Sequence, residues 1–487
     1  MPSAAGGASE GARGFEISAE SLGSADFRRD YGLRYAYLAG SMYRGIASRE
    51  LVIRLGKAGL MGSFGAAGLG LEEIGGAIGD IQSALCRGEA YGMNLICHVD
   101  DPALELETVD LFLERGVDKV EASAFMDLTP ALVKYHCSGL RRRSDGSVEV
   151  GNRIMAKLSR PEVAEVFMRP APLALVEGLR SRGRITEEQA ACSQEVPVSR
   201  DLCIEADSAG HTDQGVASVL FPSIASLRRR LWGQYGFKEP IRLGLAGGIG
   251  TPEAAAAAFV LGADFILTGS INQCALEAGI SASVKDLLQD IDVQDTAYAP
   301  AGDMFEVGAK VQVLKKGVFF PARANRLLAL YREHDSLEAL PQATRRQLEK
   351  QVFRRPLAQV WEEVKDYCRR QGREEEVRRA EGNPKHKMAR VFRAYLAESM
   401  RVALAGDLER RVDFQVHTGP ALGAFNQWAK GTPWEQWRQR HVDEIAVRLM
   451  EGAAAFLSER MGRLGGGGGE GVSPGPAALA SSKAAVG

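Results

Sequence analysis

Two glycine-bearing segments and one histidine are the residues best placed, by type and spacing, to do chemistry. The segment Leu245-Ala-Gly-Gly-Ile-Gly250 runs directly into an alanine-rich stretch, Pro252–Leu261, with helical character. Thr251 and Pro252 suit the cap and first position of that helix. Glycines there let the backbone approach a ligand closely, and the helix start presents free N–H groups to an anion. A second segment, Thr268-Gly-Ser-Ile-Asn272, follows shortly after. Either segment alone would serve equally as a tight turn. Together they favour a phosphate site built from Ala246, Gly247, Gly248, Gly269 and Ser270.

His211 closes Glu205-Ala-Asp-Ser-Ala-Gly-His211, a small, flexible stretch. An imidazole titrating near neutrality suits proton transfer. The other histidines, His98, His136, His334, His386, His417 and His441, lie in no comparable context. Lys157 sits inside the apolar run Ile154–Leu158 and is costly to bury without an anionic partner. It either offsets negative charge on a ligand or pairs with Glu121 or Glu205. Asn94 offers both a donor and an acceptor to a ligand, or simply closes a strand. Gly62–Gly68, with Gly65 at its centre, leaves room for a flat ring against backbone. Ser41 and Met42 follow the first apolar segment.

These residues share one kind of place. Eight short apolar segments recur between residues 31 and 270, each followed by turn residues and a helical stretch. They are Tyr35–Ala39, Leu60–Ser63, Tyr91–Ile96, Lys119–Ala122, Arg153–Leu158, Leu202–Ala206, Arg242–Ala246 and Phe265–Thr268. Repeated βα units predict a parallel sheet. Eight of them predict a (β/α)8 barrel of the α/β class, with a doubly wound open sheet as the alternative. In a barrel the chemistry gathers at the C-terminal strand ends, and phosphate sits on the loops after strands seven and eight. Every candidate above falls at such an end.

After about Arg323 the chain turns Arg/Glu-rich with helical spacing, as in Leu337–Glu349, Pro356–Gln371 and Glu435–Leu457. The expected organisation is a tail and lead-in over 1–30 and a barrel over 31–330 with an extra segment at 275–320. A helical domain over 331–462 and a disordered Gly/Ala/Ser tail over 463–487 complete it. A net charge of −2 excludes nucleic-acid binding by bulk electrostatics. No apolar run approaches the roughly 20 residues that span a bilayer. The N-terminus lacks the apolar core of a secretory signal. Seven dispersed cysteines without a C-x-x-C pair argue against a disulfide framework or structural zinc, and for the cytoplasm.

Asn94, Lys157, Glu205–His211, Ala246–Gly250 and Thr268–Ser270 resemble the nitronate monooxygenase-like superfamily of FMN barrels. The strand-six motif of that superfamily, E-A-G-G-H, is two residues longer here. One branch is more similar still: the PfaD-type enoyl reductases that act in trans with polyunsaturated fatty acid and polyketide synthases. Ala39–Ser48, Leu158–Ala164, Glu205–Asp213 and above all Asp295–Lys315 carry that resemblance, which spans about Phe15 to Met461. It implies FMN as bound cofactor, NADPH as hydride donor and an enoyl thioester on acyl carrier protein as substrate. His211 would then hydrogen-bond or protonate the substrate, and Lys157 would offset charge on reduced flavin. Arg345, Arg346, Arg354, Arg355, Arg369 and Arg370 are the expected docking face for an acidic carrier. Three alternatives stay in view: a nitronate monooxygenase, a non-catalytic docking protein of a megasynthase, and a phosphosugar-binding barrel without flavin. A homodimer is left open.

Overall fold

The computed structural model describes residues 16–98 and 101–464. Of the expected tail and lead-in over 1–30, residues 1–15 lie outside the described residues, as does the expected tail from 465 on; Arg463 and Leu464, at the start of that expected tail, end a helix instead. The strands, in chain order, are β1 (Tyr37–Ala39), β2 (Met61–Phe64), β3 (Gly92–Ile96), β4 (Lys119–Ser123), β5 (Leu140–Arg142), β6 (Val148–Val150), β7 (Arg153–Leu158), β8 (Asp201–Glu205), β9 (Gly210–His211), β10 (Arg242–Ala246), β11 (Phe265–Thr268), β12 (Thr296–Pro300) and β13 (Lys310–Leu314). Eight of them close a parallel barrel in the order β1-β11-β10-β8-β7-β4-β3-β2. These are the eight apolar segments of the sequence. Closure is decided by β1, which pairs with β2 on one side and β11 on the other. The open-sheet alternative therefore falls away.

The strands are short apolar runs because both of their faces are covered, by helices outside and by one another inside. Leu38, Met61, Met155, Cys203, Ala246, Phe265 and Leu267 share a buried cluster with Phe27 and Tyr31. The latter two belong to the lead-in helix Ala25–Tyr31, started by the Ser24 side chain accepting from the Phe27 N–H. Phe27 stacks on Phe265 at 4.3 Å. Beside it Arg242, fully buried, fills its fork with Asp201 (2.9 Å) and Asp30 (2.8 Å). A buried guanidinium is tolerated when its donors are matched in this way. Asp201 and Arg242 are first residues of their strands, so this network closes the N-terminal end of the barrel. The opposite end is left for the site.

The polypeptide beyond the barrel does not divide at 330/331. A second core joins β12 and β13 to the helices Phe320–Glu333, Leu357–Arg370 and the first half of Pro384–Ala405. From Val402 onward the buried residues return to the barrel's own core, through Phe425 to Ala454. The final helix, Val442–Leu464, lies against Pro252–Val260, where a Cβ on Gly452 would stand 2.6 Å from Pro252. The expected helix over Glu435–Leu457 begins instead at Val442, after two short 3-10 turns. An apolar stripe on a charged helix fixes that it is buried, not against what. The extra segment 275–320 divides too: Val284, Leu287 and Leu288 join the barrel core, and Ala299 to Val313 the second core. Among the described residues no helix is long and apolar enough to cross a membrane.

Other motifs find structural work. Asn383 accepts from the His386 N–H and caps Pro384–Ala405, while the buried His386 ring bridges Glu306 (2.8 Å) and Glu376 (2.7 Å). Trp428 and Trp434 pack with Phe425, and Trp437 donates to Asp286 at 2.7 Å. Arg141 and Arg142 lie on β5, which pairs with β6 in a two-stranded hairpin.

Candidate active site

A cavity of about 900 Å³ opens at the C-terminal ends of the barrel strands and is covered by the helical unit. Ser41, Met42, Asn94, Lys157, His211, Ala246, Gly247, Gly248, Gly269 and Ser270 all line it. Gly65 is the exception. A Cβ there would stand 1.7 Å from the Met42 carbonyl oxygen, and its backbone bonds to Ala47 (2.9 Å) and Gly45 (2.8 Å). Glycine is needed at 65 to let two loops touch, and it does not reach the cavity.

The glycines after β10 and β11 differ among themselves. Gly247 and Gly248 adopt φ of +89° and +75°, a backbone that L side chains resist. A Cβ on Gly247 would meet the Ala206 carbonyl at 2.7 Å, whereas around Gly248 and Gly269 nothing lies within 4 Å. The backbone at 248 and 269 is thus bare toward the cavity. Thr251 caps the helix Pro252–Val260 by accepting from the Ala254 N–H. Ser270 opens the short helix Ser270–Gln273. This set of N–H groups and one hydroxyl can hold an anion.

Lys157 lies between two carboxylates, Glu205 at 3.3 Å and Glu121 at 3.5 Å. Its place on β7, flanked by β4 and β8, aims three inward side chains at one point. Burial alone would lower the ammonium's pKa, but Glu205 and Glu121 override it and raise it, so the lysine stays charged. Glu121, fully buried, also accepts from the Ser41 N–H (3.0 Å) and hydroxyl (2.7 Å). Lys157 therefore has both of the ion pairs open to it in the sequence, and it faces the cavity as well. Asn94 donates to the Glu121 carbonyl (3.0 Å) and the Ser123 hydroxyl (2.8 Å).

His211 is held by groups that sequence reasoning missed. Gly210–His211 forms β9 and joins β13, with His211 opposite Val311. Its Nε2 lies 2.8 Å from Asp303 Oδ1, in the turn between β12 and β13. The Asp303 hydrogen bond raises the imidazole's pKa above the ordinary value, against a partial opposing effect of burial. His417, beside Gly210, is different: burial, then the charge of His211, push it down to about 4. It is a neutral neighbour, bonded to Gln415 at 2.9 Å. Asp207 accepts from Tyr298, from Thr212 (2.6 Å) and from Gln312 (3.3 Å). The Oε1 atoms of Gln312 and Gln415 are buried without a partner among the described residues, and both side chains line the cavity. Asp303 lies within Asp295–Lys315, the segment that carries the resemblance, and nothing else in the sequence signals it.

The expected docking arginines are largely engaged. Arg345, Arg369 and Arg355 pair with Glu349, Asp366 and Glu363, and Arg354 reaches the buried Asp413. Arg355 belongs to the cavity wall.

Known proteins share this fold across most of the chain. Residues 334–414 match the inserted helical domain of acyl-carrier-protein S-malonyltransferase. The chain is 53% identical over 445 residues to the polyketide biosynthesis protein PksE of Bacillus subtilis, covering 91% of this chain and 58% of that protein. It is 48% identical over 438 residues to a polyunsaturated fatty acid synthase protein of Thraustochytrium, covering 89% of this chain and 29% of that protein. It thus spans less than two thirds of these curated relatives. The solved enoyl reductase domain of MlnA, from the macrolactin biosynthesis cluster of Bacillus amyloliquefaciens, superposes with a TM-score of 0.87 at 44% identity. That match covers 91% of this chain and 99% of the domain. The chain therefore belongs to the enoyl reductase family found in polyketide and polyunsaturated fatty acid synthases.

Proposed function

We propose that this chain binds FMN and reduces the carbon–carbon double bond of an enoyl thioester borne on acyl carrier protein, with NADPH as the hydride donor. One observation carries the reading: the glycine cradle and the His211–Asp303 pair open on the same cavity. A cofactor held on one side can thereby meet a proton donor on the other.

The residues fit FMN. Gly247, Gly248, Gly269 and Ser270 would hold its phosphate. Asn94 and Lys157 would face its polar ring edge, and the unpartnered Gln312 and Gln415 oxygens suit its donors. When bound, FMN supplies hydride transfer. The rest of the chemistry belongs to the chain. Lys157 remains charged beside Glu121 and Glu205 and steadies negative charge that collects nearby. Asp303 occupies Nε2 of His211, which leaves Nδ1 as the nitrogen for substrate. Hydride arriving at the β-carbon is matched by a proton from His211 at the α-carbon. The helical unit covers the mouth and keeps water from the reacting atoms. It is also the face on which a carrier protein would dock.

The test is the visible spectrum of the purified protein under anaerobic conditions. Flavin bands that bleach with NADPH and return on adding crotonyl carrier protein are expected. A colourless protein that FMN cannot reconstitute would overturn the reading.

A further inference from the structure

We infer that the mouth of the cavity holds a second anion site, formed by Arg44, Arg373 and Arg401, for the phosphate ester of a long substrate or cosubstrate. The inference rests on the function proposed above and names what reaches the site from outside.

The three arginines come from separate segments: the loop after β1, the turn before the helix Glu374–Gly382, and the long helix Pro384–Ala405. All three line the same cavity as the glycine cradle. None has a side-chain hydrogen bond or ion pair among the described residues. Their neighbours do. Arg355 holds Glu363 (2.8 Å) and Glu398 (3.2 Å), and Arg390 reaches Glu376 at 3.6 Å. Glu398 is also bound by Arg410 at 2.8 Å. The other lining carboxylates are engaged as well: Glu205 by Lys157, Asp303 by His211, and Asp207 by three hydrogen-bond donors. The wall thus satisfies its acids and leaves three guanidinium groups over.

Arg44 adds a second observation. Its φ is +50°, in the left-handed region where a non-glycine residue is strained. Such strain persists where a surrounding structure or a task requires it. Gly45, the next residue, has φ of +71° and makes the same turn as a glycine. Tyr43 stands on the other side, within electrostatic reach of Asp303 and Tyr367, so this loop faces the helical unit. Tyr43 and Tyr367, 41% and 50% exposed, offer apolar faces beside the cations for an aliphatic or planar arm.

FMN carries a single phosphate, and the cradle after β10 and β11 provides for it. A second cationic set therefore points to a different phosphate. Guanidinium forks suit phosphate oxygens, with two parallel donors per arginine. Two sources share this chemistry: the phosphopantetheine arm of a carrier and the phosphates of a nicotinamide dinucleotide.

The experiment compares wild type with Arg44→Gln, Arg373→Gln and Arg401→Gln, each as the flavin-loaded protein. Turnover is measured with crotonyl-phosphopantetheine, with crotonyl-pantetheine lacking the phosphate, and against NADPH concentration. Phosphopantetheine and pantetheine are also titrated calorimetrically, a readout independent of turnover. A guanidinium–phosphate contact corresponds to roughly a tenfold change in KM or Kd. A rise of that size for the phosphorylated thioester only, with kcat kept, places the substrate arm at the site. A rise in KM for NADPH alone assigns the site to the dinucleotide. Unchanged KM values throughout, with calorimetry that shows no preference for the phosphorylated compound, would overturn the proposal. Failure of wild type to turn over either thioester would instead count against the proposed function, and the calorimetry would still decide the anion site.

Discussion

His211 Nε2 and Asp303 Oδ1 lie 2.8 Å apart, across 92 residues of sequence. The contact joins the barrel's sixth strand loop to the β12–β13 turn. It fixes which imidazole nitrogen is engaged and favours the protonated ring. Desolvation would raise the Asp303 carboxyl, but the hydrogen bond and charge of His211, with backbone N–H groups, outweigh it and draw the group below its ordinary value.

The pH dependence follows from those directions. A raised imidazole pKa means that the pair's stabilisation is complete below the ordinary histidine value and is lost as pH rises through the folded one. The lowered Asp303 pKa means that it is lost again as pH falls through the folded carboxylate value. Between these limits Asp303→Asn should be less stable than wild type, and the difference should close at alkaline pH. The alkaline limb of kcat/KM should move to lower pH in the variant. An unmoved limb, with flavin retained, would remove Asp303 from any part in positioning His211.

His211→Gln keeps the ring's volume approximately but cannot carry the proton. Turnover of crotonyl carrier protein should fall by about 10²–10⁴-fold. Reduction of the flavin by NADPH should continue, because the proposed mechanism assigns His211 only to proton delivery in the second half-reaction. Stopped-flow spectra of the two half-reactions separate the effects. Loss of both together would mean that the substitution disturbs the cofactor rather than proton delivery.

The Glu121–Lys157–Glu205 line is a different matter, since its charges are mutually dependent. Lys157→Met would leave two neighbouring carboxylates facing the cavity without a cation. Breaking such a pair from one side costs on the order of 3 kcal/mol. Thermal denaturation should show that loss, and Glu205→Gln in the same chain should recover part of it by removing one orphaned charge. Failure of the second substitution to recover anything would mean that the carboxylates are satisfied elsewhere.

What could be read in the sequence was local. Strand runs, the glycine turns after β10 and β11 and the cap at Thr251 are set by neighbours within a few residues. They put Gly247, Gly248, Gly269 and Lys157 at the strand ends where the cavity opens. Asp303 and His417 could not be found in this way, because their relation to His211 is made by a sheet of β9, β12 and β13 that only the fold assembles. The helical unit's extent is not legible for the same reason: amphipathic spacing looks alike whether the stripe meets the second core or the barrel. Gly65 shows the converse limit, since a glycine demanded by a loop contact and one demanded by a ligand are identical in sequence.

Three glycines separate those two demands experimentally. Gly269 has ordinary φ and open space, so Gly269→Ala should leave Tm unchanged while the methyl group intrudes where a phosphate would sit. Its flavin should dissociate more readily on dialysis. Gly65→Ala would drive a methyl into the Met42 carbonyl, so it should lower Tm sharply in the apoprotein as well. Gly247→Ala combines a positive φ with the Ala206 carbonyl at 2.7 Å, and should lose about 1–3 kcal/mol of stability together with flavin affinity. The decisive comparison is Gly269→Ala. Retention of flavin at wild-type strength in that variant would mean that the phosphate lies elsewhere in the cavity, and the cradle after β10 and β11 would lose its assigned ligand.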